Sequence, residues 1–408
     1  MKSLMLKITT ATSALLMASA AAYAAPVKVG FIFPTSGPLA GFGVQYIPGI
    51  SFVVDRFNEA GGFKGEPIET IIYDDAGNTT GAADRFRQAI GEGVRLIITG
   101  STSPVSAQLI NDVKNWNERN PQDPAALVIM GAESKEFTGA LCDFYTFKMS
   151  TNAEIRFNAL ANAIKETGEL KKVASIQPNY TLGYEMQAAV EAGAETFGYE
   201  LVGSLNHDYA KLHDFAPYIE RLRAMGADTI VTASSVADLR LMVTAAADAA
   251  LNTKFATMYL DEPGNVGSAG ESAIGSYVAQ LFNAEANDEA RAYRDAFLAK
   301  TGSEPVYVVA NALATMEVVT SAINSLPGEF NVTDFVLAME QVEADWPLGT
   351  LRMRADDHQL ILPVVVSEVS KDTEVKVDDT DMGFKAVQVV SAEDASAPAS
   401  DACQMKRP

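Results

Sequence analysis

Short runs of apolar and β-branched residues alternate with amphipathic segments from residue 27 onward. Residues 27–33 predict a strand, and residues 68–73 predict the next one. Between them, apolar side chains recur at the spacing of one helical face: Ile50, Val53, Val54 and Phe57. The pair Gly61 and Gly62 then ends this predicted helix. Repeated units of this kind predict a parallel sheet that helices cover on both faces.

The alternation continues and then restarts in the middle of the chain. A helix marked by Ala83, Phe86 and Ile90 is followed by a strand at 94–100, a helix at 104–119 and a strand at 126–130. The second series has predicted helices at 153–167, 183–197, 215–225 and 237–250, with short strands between them. One large sheet is an alternative, but the restart favours two similar lobes. Residues 288–340 are predicted to be mostly helical, and residues 359–369 return to strand.

Composition and charge limit the class of protein. The 408 residues, 48% of them hydrophobic, are enough to build two hydrophobic cores. The formal net charge of -21 would repel phosphate backbones and anionic membranes, so nucleic acid is not an expected partner. This charge is expected on solvated helix faces, and attraction of a cationic partner is the alternative.

The first 24 residues have the pattern of an export signal. Lys2 and Lys7 accompany a short apolar run, and Ala22-Tyr23-Ala24 supplies the small residues of a cleavage site. We expect cleavage after Ala24 and a periplasmic mature protein. Later apolar runs are shorter than the roughly 18 residues of a membrane helix, and no cysteine follows the site to carry a lipid.

The end of the chain carries one of the two cysteines. In an oxidising compartment, a disulfide between Cys142 and Cys403 that fixes this segment is one prediction, and two unbonded thiols are the alternative. Residues 371–408 are rich in Asp, Ala and Ser, so we expect an acidic, loosely ordered tail.

Polar residues collect in the loops that follow the predicted strands. Ligands of doubly wound sheets bind beyond the carboxyl ends of the strands, where these loops lie. The loops are PTSGPLAGF, GSTSPVS, GAESKEF, PNYTLGY, SSVAD and DEPGN. Most begin with residues that cap helices and leave backbone N–H groups facing outward, although helix capping alone would also explain each loop.

Two of these loops match the two ends of an amino acid. Ser101, Thr102 and Ser103 precede Pro104, which suits a first helical position, so hydroxyls and N–H groups could meet a carboxylate together. Glu262, after an apolar strand of the second series, offers a negative charge. Aromatic side chains of the same loops are expected either in an apolar wall of the site or in the core: Phe42, Phe137 and Tyr180.

Sequence patterns of catalysis and metal binding are missing. His207 and His213 have the wrong spacing for one helix face and are expected on the surface. His358 follows two aspartates in a predicted turn, and Asp74-Asp75 is expected to cap the turn after its strand. No dinucleotide-binding, nucleophile-elbow or P-loop pattern occurs, so we expect neither an enzyme nor a bound metal or cofactor.

Several segments together resemble a known family. They are VGFIFPTSGPLAGFG, FNEAGGFKGEPIETIIYDDAGNTTGAADRFRQAI, VRLIITGSTS and SAGESAIGSYVAQL. They are similar to the leucine/isoleucine/valine-binding family of periplasmic solute receptors of ATP-driven importers. The resemblance extends from about Val27 to Val369.

The resemblance implies a type I periplasmic binding protein. Such a protein has two α/β lobes, each a doubly wound parallel sheet, joined by a hinge that the chain crosses three times. We expect the first lobe to contain residues 25–147 and 285–345. The second lobe is expected to contain residues 148–284 and 346–370, before the tail at 371–408.

The resemblance also implies the residues that bind the solute. Ser103, or Thr102 in a shifted register, would bind a carboxylate, and Glu262 would bind an ammonium group. The other residues that correspond to family positions are Phe42, Gly131, Glu133, Ser134, Tyr180 and Ser235. Glu133 stands where the family has a threonine and would repel a carboxylate, which favours a more cationic or hydrogen-bonding solute. Ser235 stands where a tyrosine is usual, so one wall of the site would be missing.

The implied function is that of a monomeric receptor that captures an amino acid, branched-chain or related, and delivers it to an inner-membrane ABC permease. An aromatic carboxylate, an amide or an amine is an alternative solute within the same family. From another class, a ligand sensor for a signalling partner would use the same fold. A hydrolase-like enzyme would need a nucleophile and base that the sequence does not supply.

Overall fold

A computed structural model describes residues 26–407 of the chain. The predicted export signal and its cleavage site after Ala24 lie outside the described residues. The strands are β1 Val27–Phe33, β2 Ile68–Asp74, β3 Leu96–Thr99, β4 Ala126–Ile129, β5 Thr146–Lys148, β6 Lys172–Pro178, β7 Glu200–His207, β8 Thr229–Thr232, β9 Lys254–Thr257, β10 Tyr277–Gln280, β11 Glu343–Trp346, β12 Gly349–Arg354, β13 Gln359–Ile361, β14 Val364–Ser370 and β15 Gly383–Val390.

Helices connect most of these strands. They are α1 Ala40–Gly43, α2 Tyr46–Glu59, α3 Thr79–Gly91, α4 Ser103–Arg119, α5 Ala153–Thr167, α6 Thr181–Phe197, α7 Ala216–Met225, α8 Val236–Asp248, α9 Asn265–Ala269, α10 Asp288–Thr301, α11 Tyr307–Asn324, α12 Val332–Glu340 and α13 Ala392–Ala395. Short 3₁₀ helices occupy Lys135–Thr138 and Gly270–Ala273. In the part of the chain described, no helix is both long and apolar enough to cross a membrane.

The strands form two sheets. The first has the order β11-β12-β13-β5-β4-β3-β1-β2, and the second has the order β15-β14-β10-β9-β8-β6-β7. The neighbours among β1 to β5 pair in parallel, as do those among β6 to β10. Each sheet and the helices packed on it form one lobe. Because parallel strands end at the same edge, the loops that follow them collect at one edge of each sheet.

Close packing of α2 against α11 fixes the first lobe. Ile50, Val53 and Val54 are buried on α2, as the predicted helical face requires. A Cβ atom at Gly49 would lie 2.8 Å from Cβ of Ala312, so the two helices approach through a glycine. α11 is buried along most of its length, and it therefore holds its first residues firmly beside the end of the sheet.

Within residues 26–407 the chain passes between the two sheets three times before its tail. The passages follow β5, β10 and β13. Lys148, at the end of β5, is buried and donates hydrogen bonds to the carbonyls of Ser150 (2.9 Å) and Thr151 (2.7 Å) and to Gln359 Oε1 (3.2 Å). This amine therefore ties the first passage to the third. Burial lowers the pKa of Lys148 to about 8.

The third passage lies later than the predicted boundary. Residues 346–370 were expected in the second lobe, but β12 and β13 pair in the first sheet through the contacts Arg352↔Ile361 and Gln359↔Lys148. The chain enters the second sheet only at β14, where Val365 pairs with Gln280. Alternation of apolar residues predicts a strand, but it carries no information on which sheet that strand joins.

The expectation of a loosely ordered tail is wrong. β15 pairs antiparallel with β14, and Val390 and Ala395 are buried. Cys403 forms a disulfide with Cys142 beside the first sheet, as one of the two alternatives predicted. The polar composition suggested disorder, but the exposed edge of β14 offers backbone hydrogen bonds that outweigh it.

Candidate functional site

The loops at the strand ends of the two lobes face each other across a cavity of about 290 Å³. Its walls come from α1, the Glu262 loop after β9 and the start of α11. The lining residues are Phe42, Gln45, Arg240, Glu262, Pro263, Val306, Tyr307 and Val308. The structure thus brings together two of the predicted site residues, Phe42 and Glu262, from opposite lobes.

The turn after β1 holds Phe42 at the rim of this cavity. Asp74 Oδ1 accepts hydrogen bonds from the backbone N–H groups of Thr35 (2.9 Å), Ser36 (3.2 Å) and Ala76 (3.0 Å). Burial alone would raise the pKa of Asp74, but a hydrogen bond from the Ser36 side chain and these backbone hydrogen bonds lower it to about 2. Phe42 follows this turn on α1, and its ring meets that of Tyr46 edge-on at 5.6 Å between centroids.

Glu262 lies in a tight loop that the second lobe holds at several points. Its backbone N–H donates to the carbonyl of Tyr259 (3.1 Å), and its own carbonyl accepts from Asn265 (3.3 Å). Arg240 donates to the carbonyl of Pro263 at 3.0 Å. The cavity wall therefore carries a carboxylate and a guanidinium within a surface that is otherwise largely apolar.

Glu133 is buried between the lobes in a network of donors. Its carboxylate accepts hydrogen bonds from Tyr307 Oη (3.0 Å), Thr151 Oγ1 (3.3 Å) and Tyr259 Oη. Arg156 Nη2 lies 3.3 Å from Glu133 Oε1 and completes the set. Burial raises the pKa of both tyrosines, and the nearby charge of Glu133 raises it further, so both hydroxyls act as donors.

Arg156 belongs to α5 of the second lobe and is fully buried. Its guanidinium donates to the carbonyls of Met258 (3.0 Å) and Ala279 (2.7 Å), which lie at the ends of β9 and β10. The ring of Tyr307 lies 4.7 Å from its central carbon. Because this cation offsets the charge of Glu133, the expected repulsion of a carboxylate solute does not follow from Glu133 alone.

Tyr46, which sequence reasoning missed, fills the space between the ends of β3 and β4. A Cβ atom at Gly131 would lie 2.1 Å from Tyr46 Oη, and one at Gly100 would lie 2.6 Å from the Tyr46 ring. Both glycines are thus required by the close approach of this ring. Within residues 26–407 the buried Tyr46 hydroxyl has no hydrogen-bond partner, which is uncommon for a buried polar group.

The hydroxyl cluster lies at the start of α4, as predicted. Thr102 is the N-cap in extended conformation, its side chain makes no capping hydrogen bond, and Pro104 occupies the first turn. Ser101 is 3% exposed. Thr102 and Ser103 are partly exposed. This end of the helix therefore retains hydroxyl and N–H donors.

The remaining predicted residues take different positions. Tyr180 precedes α6, its ring lies 4.6 Å from that of Tyr209, and burial together with the charges of Tyr209, Glu133 and Glu262 raises its pKa. Ser235 precedes α8 with a partly exposed side chain that makes no capping hydrogen bond. Ser134 instead accepts a hydrogen bond from the backbone of Glu136 at 3.4 Å. The Ser134 hydroxyl thus caps the short helix that follows it.

A second cavity of about 290 Å³ adjoins the first and shares Pro263 and Val306 with it. It is lined by the loop after β9, by the end of β10, by the segment before α11 and by the tail. The residues are Asp261, Pro263, Gln280, Phe282, Asn283, Ala284, Arg294, Glu304, Pro305, Val306, Val375, Lys376, Val377, Asp378 and Phe384. Burial raises the pKa of Asp261 in this cavity to about 6.

The comparisons with known proteins agree with this arrangement. A family model described as "Periplasmic binding protein" matches residues 26–374. The chain belongs to this family of solute receptors. The Leu/Ile/Val-binding protein homolog 4 of Brucella abortus (strain 2308) is 40% identical over 404 residues, which cover 98% of this chain and 97% of the relative.

Solved structures of periplasmic binding proteins show the same fold. The leucine-, isoleucine-, valine-, threonine-, and alanine-binding protein from Brucella ovis, in closed conformation, superposes with a TM-score of 0.91. It is 39% identical, and the match covers 94% of this chain and all of that one. An ABC transporter substrate-binding protein from Sphaerobacter thermophilus, at 22% identity, has a TM-score of 0.77 over 90% of this chain and 98% of its own. The predicted family and the type I α/β fold are confirmed.

The position expected for His207 needs correction in this receptor. His207 was expected on the surface, but it is buried, and its Nε2 lies 2.8 Å from Ser234 Oγ. Asp238 lies 3.8 Å from His207 Nδ1. Ser234 is 0% exposed, so this arrangement offers no accessible nucleophile. In the described part of the chain, no group of three or more His, Cys, Asp or Glu side chains could hold a metal.

The sequence patterns did not lead to several residues of this periplasmic binding protein's site. Tyr259 lies three residues before Glu262, so its place next to a predicted site residue was a usable signal. Arg156 lies in the first turn of an amphipathic helix, where an arginine normally faces solvent. Tyr307 begins α11, far along the chain from every predicted loop, and only the packing of α11 brings it to the cavity.

Proposed function

We propose that this receptor binds an amino acid with an apolar side chain between its lobes, in the periplasm, and delivers it to an inner-membrane ABC permease. One observation carries the proposal. Glu262 and Phe42, from opposite lobes, line one cavity whose other walls are mostly apolar. A site with a fixed carboxylate and an apolar wall suits a solute that has both an ammonium group and a hydrocarbon side chain.

Each end of such a solute has a matching group. Glu262 would accept the ammonium group, and Thr102 and Ser103 at the start of α4 would donate to the carboxylate. The free hydroxyl of Tyr46 lies beside the same strand ends and would add a donor. Phe42, Val306 and Val308 would contact the hydrocarbon part. Charge-assisted hydrogen bonds of this kind contribute about 1.5–3 kcal/mol each.

Closure of the lobes would couple binding to transport. Glu133 of the first lobe contacts Tyr259 and Arg156 of the second lobe, and these contacts exist only while the lobes are together. A solute that contacts both lobes would further stabilise the same closed conformation. Shifting the equilibrium from about 1:99 to 99:1 closed requires a preference of about 5.5 kcal/mol for the closed form. Two or three charge-assisted contacts would supply most of this free energy.

The names of the similar proteins support an aliphatic solute. The Brucella abortus relative is named as a Leu/Ile/Val-binding protein homolog, and the Brucella ovis structure as a leucine-, isoleucine-, valine-, threonine-, and alanine-binding protein. Both align with nearly the whole chain. The rings of Phe42, Tyr180 and Tyr209 are compatible with the alternative, an aromatic carboxylate.

Calorimetric titration of the mature protein, freed of co-purified solute by unfolding and refolding, tests the proposal. The titrants are L-leucine, L-isoleucine, L-valine, L-alanine and benzoate. L-leucine is expected to bind, and Glu262→Gln is expected to weaken it at least about tenfold, or about 1.4 kcal/mol. Glu289→Gln, at an exposed position of α10, is the matched control. Binding of benzoate alone, or equal affinity in Glu262→Gln, would contradict the proposal.

We propose further that the mature receptor is a monomer that begins at Ala25. Mass spectrometry of protein recovered from the periplasm of an expressing cell should give the mass of residues 25–408. Size-exclusion chromatography with light scattering should give the mass of one chain. A mass that includes residues 1–24 would contradict export with cleavage.

A further inference from the structure

The tail of the chain contacts the loop that carries Glu262. Asp378 Oδ1 accepts a hydrogen bond from the backbone N–H of Gly264 at 2.6 Å, and Oδ2 accepts one from Gly267 at 3.0 Å. The family match ends at residue 374, so Asp378 lies beyond it. A carboxylate that accepts hydrogen bonds from two backbone N–H groups holds them strongly and in a defined direction.

The backbone on both sides of this contact is adapted to it. Gly264 has φ of +89°, which favours glycine. A Cβ atom at Gly267 would lie 3.1 Å from Cβ of Asp378, so the loop and the tail approach closely. Asp378 and Asp379 both have φ of +54°, in the left-handed region that side chains rarely adopt. Such strain persists only where surrounding contacts offset it, and it is often found at functional positions.

The same stretch of tail is anchored at its other end to the second passage between the lobes. Glu285 Oε1 accepts hydrogen bonds from the backbone N–H groups of Glu374 (2.6 Å) and Val375 (2.8 Å). Asn283 Nδ2 donates to the carbonyl of Phe384 at 2.8 Å. Residues 374–384 are thus held at the second passage on one side and at the Glu262 loop on the other.

We propose that Asp378 is a positioning residue for solute binding, which holds the Glu262 loop in the orientation that meets the ammonium group of the solute. The inference rests on the proposed function, because it assigns the ammonium group to Glu262. Gly264 is two residues from Glu262, and the carboxylate of Asp378 fixes the backbone of that turn against the second lobe. Arg240 and Tyr259 also hold this loop, through the carbonyl of Pro263 and the backbone N–H of Glu262.

A pair of solutes that differ only in the ammonium group separates positioning from general stability. The probes are L-leucine and 4-methylpentanoate, which has the same carbon skeleton without the amine. Asp378→Asn, which preserves shape, and Asp378→Ala are both expected to weaken L-leucine about tenfold. Affinity for 4-methylpentanoate should change by less than about twofold, because that solute makes no contact with Glu262. Asp379→Asn is the matched control, since Asp379 is exposed and has the same backbone conformation.

A double-mutant cycle with Glu262→Gln completes the test. The loss caused by Asp378→Ala should disappear in the Glu262→Gln background, because the two residues act on one interaction. An equal loss of affinity for both solutes would overturn the positioning role and leave a structural one. The same holds if Asp378→Ala causes an unchanged loss of affinity in the Glu262→Gln background. If the wild type binds L-leucine and both Asp378 variants bind it with the same affinity, the positioning role is overturned as well. If the wild type binds no amino acid, the proposed function fails, and this role of Asp378 fails with it.

Discussion

Glu133 and Arg156 come from opposite lobes and form a buried ion pair, with 3.3 Å between Oε1 and Nη2. Their side chains are 7% and 0% exposed. Taking two charges out of water is costly, and only good geometry with further hydrogen bonds offsets that cost. Here the tyrosine hydroxyls and the strand-end carbonyls supply those further bonds. The pair therefore fixes how the lobes meet beside the cavity.

Neutralising Glu133 should destabilise the protein strongly. Glu133→Gln leaves Arg156 buried without its partner, which is expected to lower the free energy of unfolding by about 3 kcal/mol. Urea unfolding followed by circular dichroism measures the change. Glu136→Gln, at an exposed position of the same segment, is the control and should change stability by less than about 0.5 kcal/mol. Equal effects of the two variants would show that the ion pair is not a net stabilising contact.

Truncating Phe42 should reduce the apolar part of solute binding. Phe42→Ala removes an aromatic wall of the cavity, so affinity for L-leucine is expected to fall about tenfold and affinity for L-alanine much less. Stability should change little, because the side chain is 37% exposed. Leu337→Ala, at an exposed position of α12, provides the control in the same calorimetric titration. A uniform loss for both amino acids would place Phe42 outside the side-chain subsite.

Acid should weaken the turn that presents Phe42. The pKa of Asp74 is lowered to about 2 in the folded protein, below its ordinary value of about 3.9. A lowered pKa means that the charged carboxylate stabilises the fold above about pH 4, and that this contribution is lost as pH falls through about 2. Thermal unfolding of the wild type and of Asp74→Ala should therefore converge between these two pH values. A difference that stays constant from pH 7 to pH 2 would contradict the role of the carboxylate charge.

The disulfide should stabilise the protein by closing a long loop. Cys142 and Cys403 are 261 positions apart, and the bond fixes the tail beside the first sheet. The double variant Cys142→Ser/Cys403→Ser is expected to lose about 2–4 kcal/mol of unfolding free energy in oxidising buffer. Reductant should bring the wild type to the stability of the double variant and leave the variant unchanged. Insensitivity of the wild type to complete reduction would contradict this account.

Local patterns in the sequence determined the helices and most strands. The predicted helix at 153–167 coincides with α5, and the predicted helix at 104–119 differs from α4 by one residue. The loops that carry Phe42 and Glu262 were also found, because ligand loops follow parallel strands by rule. These features depend on residues that are neighbours along the chain, and the spacing of apolar side chains records them directly.

The tertiary structure alone decided how distant segments meet. β12 and β13 joined the first sheet, β15 paired with β14, and Asp378 came to lie against Gly264 across more than a hundred positions of sequence. The sequence did not indicate Arg156 as the partner of Glu133, because an arginine in the first turn of an amphipathic helix is normally a surface residue. Edge-strand pairing and the burial of paired charges are gains in free energy that arise only after the elements pack. Their physical cause lies in contacts that no local spacing records.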